Sequence, residues 1–291
     1  MSYVLGHSAR ELDRLDLQGI IYRDITKRAL VECGIAPGER VLDIGCGSGE
    51  VSRLAAKLVG PSGSVHGVDR DADAVAAARK RTAERGISNV TFSAGEIESA
   101  GEPGAWDVMV GRFVLMHQPD PAFTLASAAR SIRRGGKVVI LESVMAALLN
   151  GAHSFPHSPL YDAIVRWKCR VVAAAGADIE AGLRLHQTFE RAGLPDPSLR
   201  MEARVEGGPG SLVYQYLAES VRSMLPMAAA HRIEGFDAED VETLEGRLRA
   251  EVGATGGVLV CWPLVAAVAT VPPTASPIDS PTIPTGPSTV P

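Results

Sequence analysis

Paired cysteines are missing from this chain: Cys33, Cys46, Cys169 and Cys261 are widely spaced, and no two of them form a C-x-x-C pair. That argues against a disulfide framework and against a zinc site, and it fits a reducing, cytoplasmic setting. Long apolar runs are missing too. The longest, residues 258–271, is interrupted by Pro263 and falls short of the roughly 18 residues that a membrane span needs. It reads as a core strand, and no membrane partner is expected. Residues 1–14 contain no apolar core of signal-peptide length. An excess of positive charge is also absent: the formal net charge is −5 and the two signs are mixed along the chain. A nucleic-acid binder would carry a basic face, so small-molecule or protein partners are expected. No internal repeat is visible.

What is present is enough for a full α/β core: 291 residues, 46% of them hydrophobic. The organising stretch is Val41-Leu42-Asp43-Ile44-Gly45-Cys46-Gly47-Ser48-Gly49. Val41, Leu42 and Ile44 have the continuous apolar pattern of a buried parallel strand. Gly45, Gly47 and Gly49 then give a turn without Cβ atoms, and the apolar-periodic run 51–59 follows as a helix. Strand, glycine turn and helix N-terminus together make a site for a nucleotide-like ligand at the carboxyl end of a strand.

A helical pattern over 11–33 (Leu12, Leu15, Ile21, Ile25, Ala29) precedes that strand and is stopped by Gly34 and Pro37-Gly38. A second strand, 65–68, ends at Asp69, about 20 residues after Gly49. That is the spacing at which such folds place a carboxylate on ribose hydroxyls. Capping of the next helix is the alternative role, shared with Asp71 and Asp73. A helix over 72–85 leads to a third strand, 90–94, and then to Gly95-Glu96-Ile97, where an acceptor followed by an apolar side chain suits a flat heteroaromatic ring. A fourth strand covers 106–110, a helix 121–132, a turn Arg134-Gly135-Gly136, and a fifth strand 137–141 ends at Glu142. Strands alternating with helices predict a doubly wound, mostly parallel sheet.

Beyond Glu142, Leu160, Ile164, Trp167, Val171 and Ala174 recur at helical spacing against Arg166, Lys168 and Arg170. This helix can be a lid over a substrate cavity, or it can pack on the sheet edge or on a second subunit, so a homodimer stays open. Further helices are expected over 183–192, 211–225 and 238–251, a strand over 199–205, and a closing strand over 257–270. The expected organisation is an N-terminal helical cap (1–39), a cofactor-binding half (40–145), a lid insertion (146–182), the C-terminal half of the core (183–271) and a Pro/Ser/Thr-rich disordered tail (272–291).

Taken in order, V-L-D-I-G-C-G-S-G, the V-D at the second strand's end, G-E-I after the third, W-D-V-M-V-G-R-F-V-L-M-H at the fourth and R-G-G-K at the fifth resemble class I S-adenosylmethionine-dependent methyltransferases. The match covers about residues 40–142. The opening Tyr3-Val4-Leu5-Gly6-His7-Ser8 and the R-F-V-L-M-H-Q-P-D-P segment resemble a bacterial small-molecule branch of that superfamily. The resemblance implies a seven-stranded sheet of order 3-2-1-4-5-7-6 with its last strand antiparallel, and S-adenosylmethionine as cofactor with S-adenosylhomocysteine as product. By the same resemblance Asp43, Gly45, Cys46, Gly47 and Gly49 would face the methionine and adenosine parts, Asp69 with Arg70 the ribose, and Glu96 and Ile97 the adenine. Gly111 and Arg112 would lie under the sulfonium. Glu96 departs from the Asp common in the family.

A dinucleotide is the rival ligand. Its G-x-G-x-x-G fingerprint would need glycine at residue 50, which is Glu50, and a carboxylate there opposes a pyrophosphate on the helix N-terminus. Asp43, Glu50, Asp69 and Glu96 suit a cationic sulfonium better. Methyl transfer is an in-line displacement, which needs an aligned nucleophile and often a base but no metal. His117, after the fourth strand, is the candidate base; capping the turn before Asp120-Pro121 is its alternative role. His153, His157 and Glu142 are weaker candidates. Cys46 is expected to be a small packing residue, and Phe113, Met116, Phe155 and Trp167 are candidates to line an apolar cavity. The expected acceptor is a small organic molecule methylated on O or N. C-methylation, a rearrangement or decarboxylation around bound cofactor, and a non-catalytic binding protein are the alternatives.

Overall fold

Helical spacing of Ile21, Ile25 and Ala29, all buried, gives α1 (Ala9–Glu32), a single helix of 24 residues. It stops where Gly34 takes a left-handed φ of 75°. The structure is a computed structural model that describes residues 9–151 and 153–272. The Tyr3 to Ser8 motif and all but the first residue of the expected tail lie outside those residues.

Five strands and three α-helices follow: β1 (Arg40–Ile44), α2 (Glu50–Val59), β2 (Ser64–Asp69), α3 (Ala72–Glu84), β3 (Val90–Ala94), β4 (Trp106–Arg112), α4 (Pro121–Ala129) and β5 (Ile132–Ser143). The rest of the chain supplies β6 (Ser154–Phe155), α5 (Pro159–Ala174), α6 (Ala181–Arg191), β7 (Ser198–Glu202), β8 (Val205–Gly207), α7 (Val213–Ala230), α8 (Ala238–Gly253), β9 (Val258–Val260) and β10 (Leu264–Thr270).

The main sheet has seven strands in the order β3-β2-β1-β4-β5-β10-β7. Strands β1 to β5 pair in parallel, and β10 runs antiparallel to both β5 and β7. Numbered within this sheet alone, β7 is sixth and β10 seventh, so the order is the expected 3-2-1-4-5-7-6. Alternate residues of each strand enter opposite cores. Val41, Val110 and Leu141 pack toward α1, α2 and the inserted helices α5, α7 and α8. Leu42, Met109 and Ile140 pack toward α4 and α6.

Three expectations need correction. The strand expected over 199–205 is divided, β7 ending at Glu202 in the main sheet and β8 beginning at Val205 in a smaller one. The run 257–270 is two strands, because Pro263 cannot continue a central ladder. Its first half, β9, joins β6 and β8 in a separate three-stranded antiparallel sheet, and only β10 enters the main one. The fifth strand starts earlier than expected: Arg134-Gly135-Gly136 lies within β5, where the register to β4 shifts between Trp106 and Val108, and the preceding helix ends at Ala129.

Candidate functional site

The carboxyl ends of β1 to β5 open into one cavity that α1 roofs with Arg14, Leu15, Gln18 and Tyr22. The glycine turn forms its floor. Gly45 has φ 62° and passes so close to Val114 that an added Cβ would lie 2.5 Å from that side chain; only glycine fits. Gly47 lines the cavity with φ 48°, and its N–H donates to Asp69 Oδ2 at 2.8 Å. Asp69 Oδ1 accepts from the Asp71 N–H at 3.0 Å. Each carboxylate oxygen therefore keeps acceptor capacity toward the cavity. Burial raises the Asp69 carboxyl, opposed by those two backbone bonds. Cys46, Arg70, Glu96 and Ile97 also line the cavity, Glu96 exposed and Ile97 buried.

Three residues expected at the ligand lie behind it. Asp43 is fully buried under the turn and accepts from the Ser52 hydroxyl, and burial pushes its carboxyl up to about 7. Gly49 packs on Phe92, and Gly111 on Ile44 within the sheet. None of the three lines the cavity; they support the turn and the strand ends.

At the end of β4, the buried Arg112 reaches Glu50 Oε2 at 3.1 Å and donates to the Thr26 hydroxyl at 2.8 Å. Glu50 also meets Arg23 at 3.2 Å, so the first residue of α2 ties α1 to the sheet. Phe113 follows with φ 59°, a strained value for a bulky residue. It is held edge-on to Tyr22 at 5.4 Å. Glu142 locks this reversal: its Oε1 accepts from the N–H groups of Val114 at 2.8 Å and Leu115 at 2.6 Å. Completely buried, with its carboxyl pushed up to about 8, Glu142 sits outside the cavity and is bonded to the loop.

That loop presents Met116, His117 and Gln118 to the cavity. Burial, then the charges of Arg70 and Arg14, lower the His117 imidazole to about 4, so it is neutral at physiological pH. Asp120, not His117, caps α4, accepting from Ala122 and Phe123. The other two histidines are elsewhere. His153 is buried between Asp162, at 3.2 Å, and the backbone of Gly151, and His157 is exposed. Phe155 is 77% exposed and Trp167 packs edge-on to Phe236. None of these four reaches the cavity.

The far end of the cavity is closed by Ser143, the last residue of β5, Met145 just after it, Lys168 and Val172 of α5, Tyr216 and Met224 of α7, and Trp262. Lys168 was expected on the polar side of its helix. It is instead 2% exposed, with Nζ 4.2 Å from the centroid of Trp262 and 5.0 Å from that of Tyr216. The signal was available: Lys168 lies four residues from both Ile164 and Val172, on the buried stripe of α5. Among the described residues no group of His, Cys, Asp and Glu is arranged to hold a metal, and no helix is long and apolar enough to cross a membrane.

A doubly wound sheet with its cavity at the strand ends defines an α/β protein that binds a nucleotide-type ligand at the switch point of the sheet. Residues 35–193 match the model of the methyltransferase domain, and the chain belongs to that family. Similar curated proteins include aklanonic acid methyltransferase DauC of Streptomyces sp. strain C5, 37% identical over 50% of this chain and 66% of the relative. An arsenite methyltransferase of Aquipseudomonas alcaligenes is 31% identical over 72% of this chain and 58% of its own length. A ubiquinone biosynthesis O-methyltransferase of Burkholderia thailandensis is 39% identical over 35% and 43%. The chain thus spans less than two thirds of each of these relatives. Among solved structures, the YcgJ protein of Bacillus subtilis superposes with a TM-score of 0.55 at 15% identity, covering 86% of this chain and 99% of the other. A Haemonchus contortus phosphoethanolamine N-methyltransferase 2, solved with S-adenosylhomocysteine, gives 0.52 at 20% identity over 86% and 52%. These two likenesses bear on the fold.

Proposed function

We propose that this chain is an S-adenosylmethionine-dependent methyltransferase whose acceptor is a small organic molecule methylated on oxygen or nitrogen. The observation that carries this is the joining of the Gly45 to Gly49 turn to Asp69 through the Gly47 N–H, on the wall of one cavity whose opposite end is built by inserted helices. The residues suit the cofactor. Asp69 retains acceptor capacity for two vicinal hydroxyls, and Glu96 with Ile97 offers an acceptor and an apolar face for a purine. Glu50, Asp71 and Glu98 add carboxylates to this side of the wall, set among Arg14, Arg70 and Arg112.

S-adenosylmethionine, when bound, supplies an electrophilic methyl on sulfur. The chain's task is then to orient the acceptor, exclude water and receive a proton. Alignment by the closed end of the cavity contributes several kcal/mol in such displacements. His117 is neutral and lines the cavity, so its imidazole is the group placed to accept a proton from an acidic acceptor. The arsenite relative suggests a thiophilic acceptor, for which clustered thiolates would be the matching chemistry. Cys46 is the one cysteine on the cavity wall, and burial holds its thiol well above the usual range. An organic acceptor is better supported.

Calorimetric titration with S-adenosylhomocysteine and incubation with methyl-labelled S-adenosylmethionine and aromatic or amine acceptors test the reading. Binding and labelled product are expected. Absence of binding would overturn the cofactor, and turnover without S-adenosylhomocysteine formation would overturn methyl transfer.

A further inference from the structure

Strand β7 ends the main sheet with one side open. It pairs with β10 alone, and among the described residues Ser198 to Glu202 make no other backbone hydrogen bond. Such an edge is a template for another strand, and proteins commonly blunt it with charges or proline. The charges of β7 are held on the α1 face of the sheet. Arg28 of α1 donates to Glu202 at 2.8 Å, Arg200 reaches Glu202 at 2.8 Å, and Arg200 pairs with Glu32 of α1.

The other face of this edge is apolar and uncovered. Leu199 and Met201 stand opposite Ala267 and Val265 of β10, on the face that α6 packs against, yet they are 44% and 49% exposed. Leu183 of α6 is 60% exposed. It lies three residues from His186, which is turned toward Asp196, just before β7, at 3.9 Å. Leu183, Leu199 and Met201 thus form an apolar strip along an open strand, and none of them lines the cavity.

Charge and proline select how a second β7 fits here. Opposed residues of an antiparallel pair share a face, so a two-fold axis between two copies passes through a residue. Centred on Arg200 the pair sets arginine against arginine, and centred on Glu202 glutamate against glutamate, both destabilising. Centred on Ser198 or Leu199, it draws Pro197, which has no N–H, into the ladder. Further along, residues 205–207 already pair with β9 in the small sheet. Centred on Met201, each Arg200 faces Glu202 of the second copy, and the two apolar strips run on into each other.

We propose that β7 is a dimer interface: it pairs antiparallel with β7 of a second copy of this chain, centred on Met201, and joins the two main sheets into one. The surface lies away from the cavity, so the proposal stands apart from the methyltransferase reading, and no result below bears on that reading.

Sedimentation of the full chain at about 100 µM is expected to give twice the mass of one chain, because a dimer of micromolar Kd is filled at that concentration. Cross-linking fixes the register. Met201 faces itself with Cα atoms about 4.5–5.5 Å apart, within disulfide reach, whereas the two Leu199 stand more than about 10 Å apart. All four native cysteines are buried. Mild oxidation of Met201→Cys is therefore expected to give a covalent dimer on a non-reducing gel, and Leu199→Cys to give little. Arg200→Glu and Glu202→Arg each set like charges across the pair and should weaken self-association by about tenfold or more. Mixed together, the two variants regain opposite charges at both positions and should form a heterodimer. A monomeric wild type, a cross-link at 201 no stronger than at 199, charge variants that dimerise as well as wild type, or a mixture that stays monomeric overturns the proposal. The wild-type mass and the Met201→Cys cross-link decide if a charge variant does not fold.

Discussion

The peptide nitrogen of Gly47 donates to Asp69 Oδ2 at 2.8 Å, so the middle of the glycine turn and the acid ending the second strand form one unit across 22 residues of sequence. Asp69 shapes the turn as well as facing the cavity. Asp69→Ala removes the acceptor for Gly47 and Asp71 N–H groups and for ligand hydroxyls. It is expected to weaken S-adenosylhomocysteine binding by about 2–3 kcal/mol, roughly 30- to 150-fold. Titration calorimetry reads this directly, and unchanged affinity would reject the role.

Gly19→Ala sets helix propensity against packing. Alanine favours a helix interior by about 1 kcal/mol over glycine. At Gly19, however, a Cβ would lie 2.6 Å from Glu50 Cγ, and Glu50 is pinned by Arg112 at 3.1 Å and Arg23 at 3.2 Å. The carboxylate cannot move aside without breaking a buried ion pair. A net loss of about 1–3 kcal/mol is expected, within the range for overpacking. Gly246→Ala in α8, where an added Cβ meets nothing within 4 Å, should instead gain stability. Denaturant unfolding of the two variants should shift in opposite directions, and a shared direction would refute the Glu50 clamp.

How much of this was legible in the sequence follows from the range of the interactions. Val41, Leu42 and the glycine turn announce strand and site because their pattern is local, and Asp69 is found by spacing. Glu142 was visible as a strand end, yet its partners Val114 and Leu115 lie 28 and 27 residues away, and nothing local says that they fold back on it. The small sheet of β6, β8 and β9 is built from strands of two or three residues, too short for a period to show. Lys168 was hidden by its own charge: set beside Arg166 and Arg170 it read as a solvated face, while its position on the apolar stripe of α5 put it inside.

Glu142 should control both loop and pH response. Glu142→Ala leaves two buried N–H groups unmatched and is expected to cost about 2–4 kcal/mol. Glu142→Gln keeps an acceptor and removes the titration. Burial pushes the Glu142 carboxyl up to about 8 in the fold from an ordinary 4.5, and the Asp43 carboxyl to about 7 from 3.8. Between those limits the folded chain holds protons that the unfolded chain has released. The contribution of these two carboxyls to stability therefore falls as pH rises from about 4 to about 8 and levels off above, opposed below about 6.5 by His117, whose lowered imidazole gives a smaller contribution of opposite sign. Melting temperatures across that window should decline, and Glu142→Gln should reduce the slope; an unaltered slope would contradict the assignment.

His117 gives the last expectation. Its imidazole is lowered to about 4, first by burial and then by Arg70 and Arg14. The folded state thus resists protonation, and the neutral ring is present throughout the physiological range. An ordinary histidine base would give kcat/KM an acidic limb near about 6.5. Here that limb should be displaced toward about 4, so the rate stays flat across neutral pH apart from any ionisation of the acceptor. His117→Ala is expected to lower kcat by about a hundredfold or more, within the usual contribution of a positioned base, with S-adenosylhomocysteine affinity preserved. Removing one of the two cations separates the field from the base: Arg70→Gln, which keeps the imidazole, should move the limb upward toward the ordinary histidine value. A limb already near the ordinary value in the wild-type enzyme, or a His117→Ala variant with undiminished kcat, would show that the proton leaves by another route.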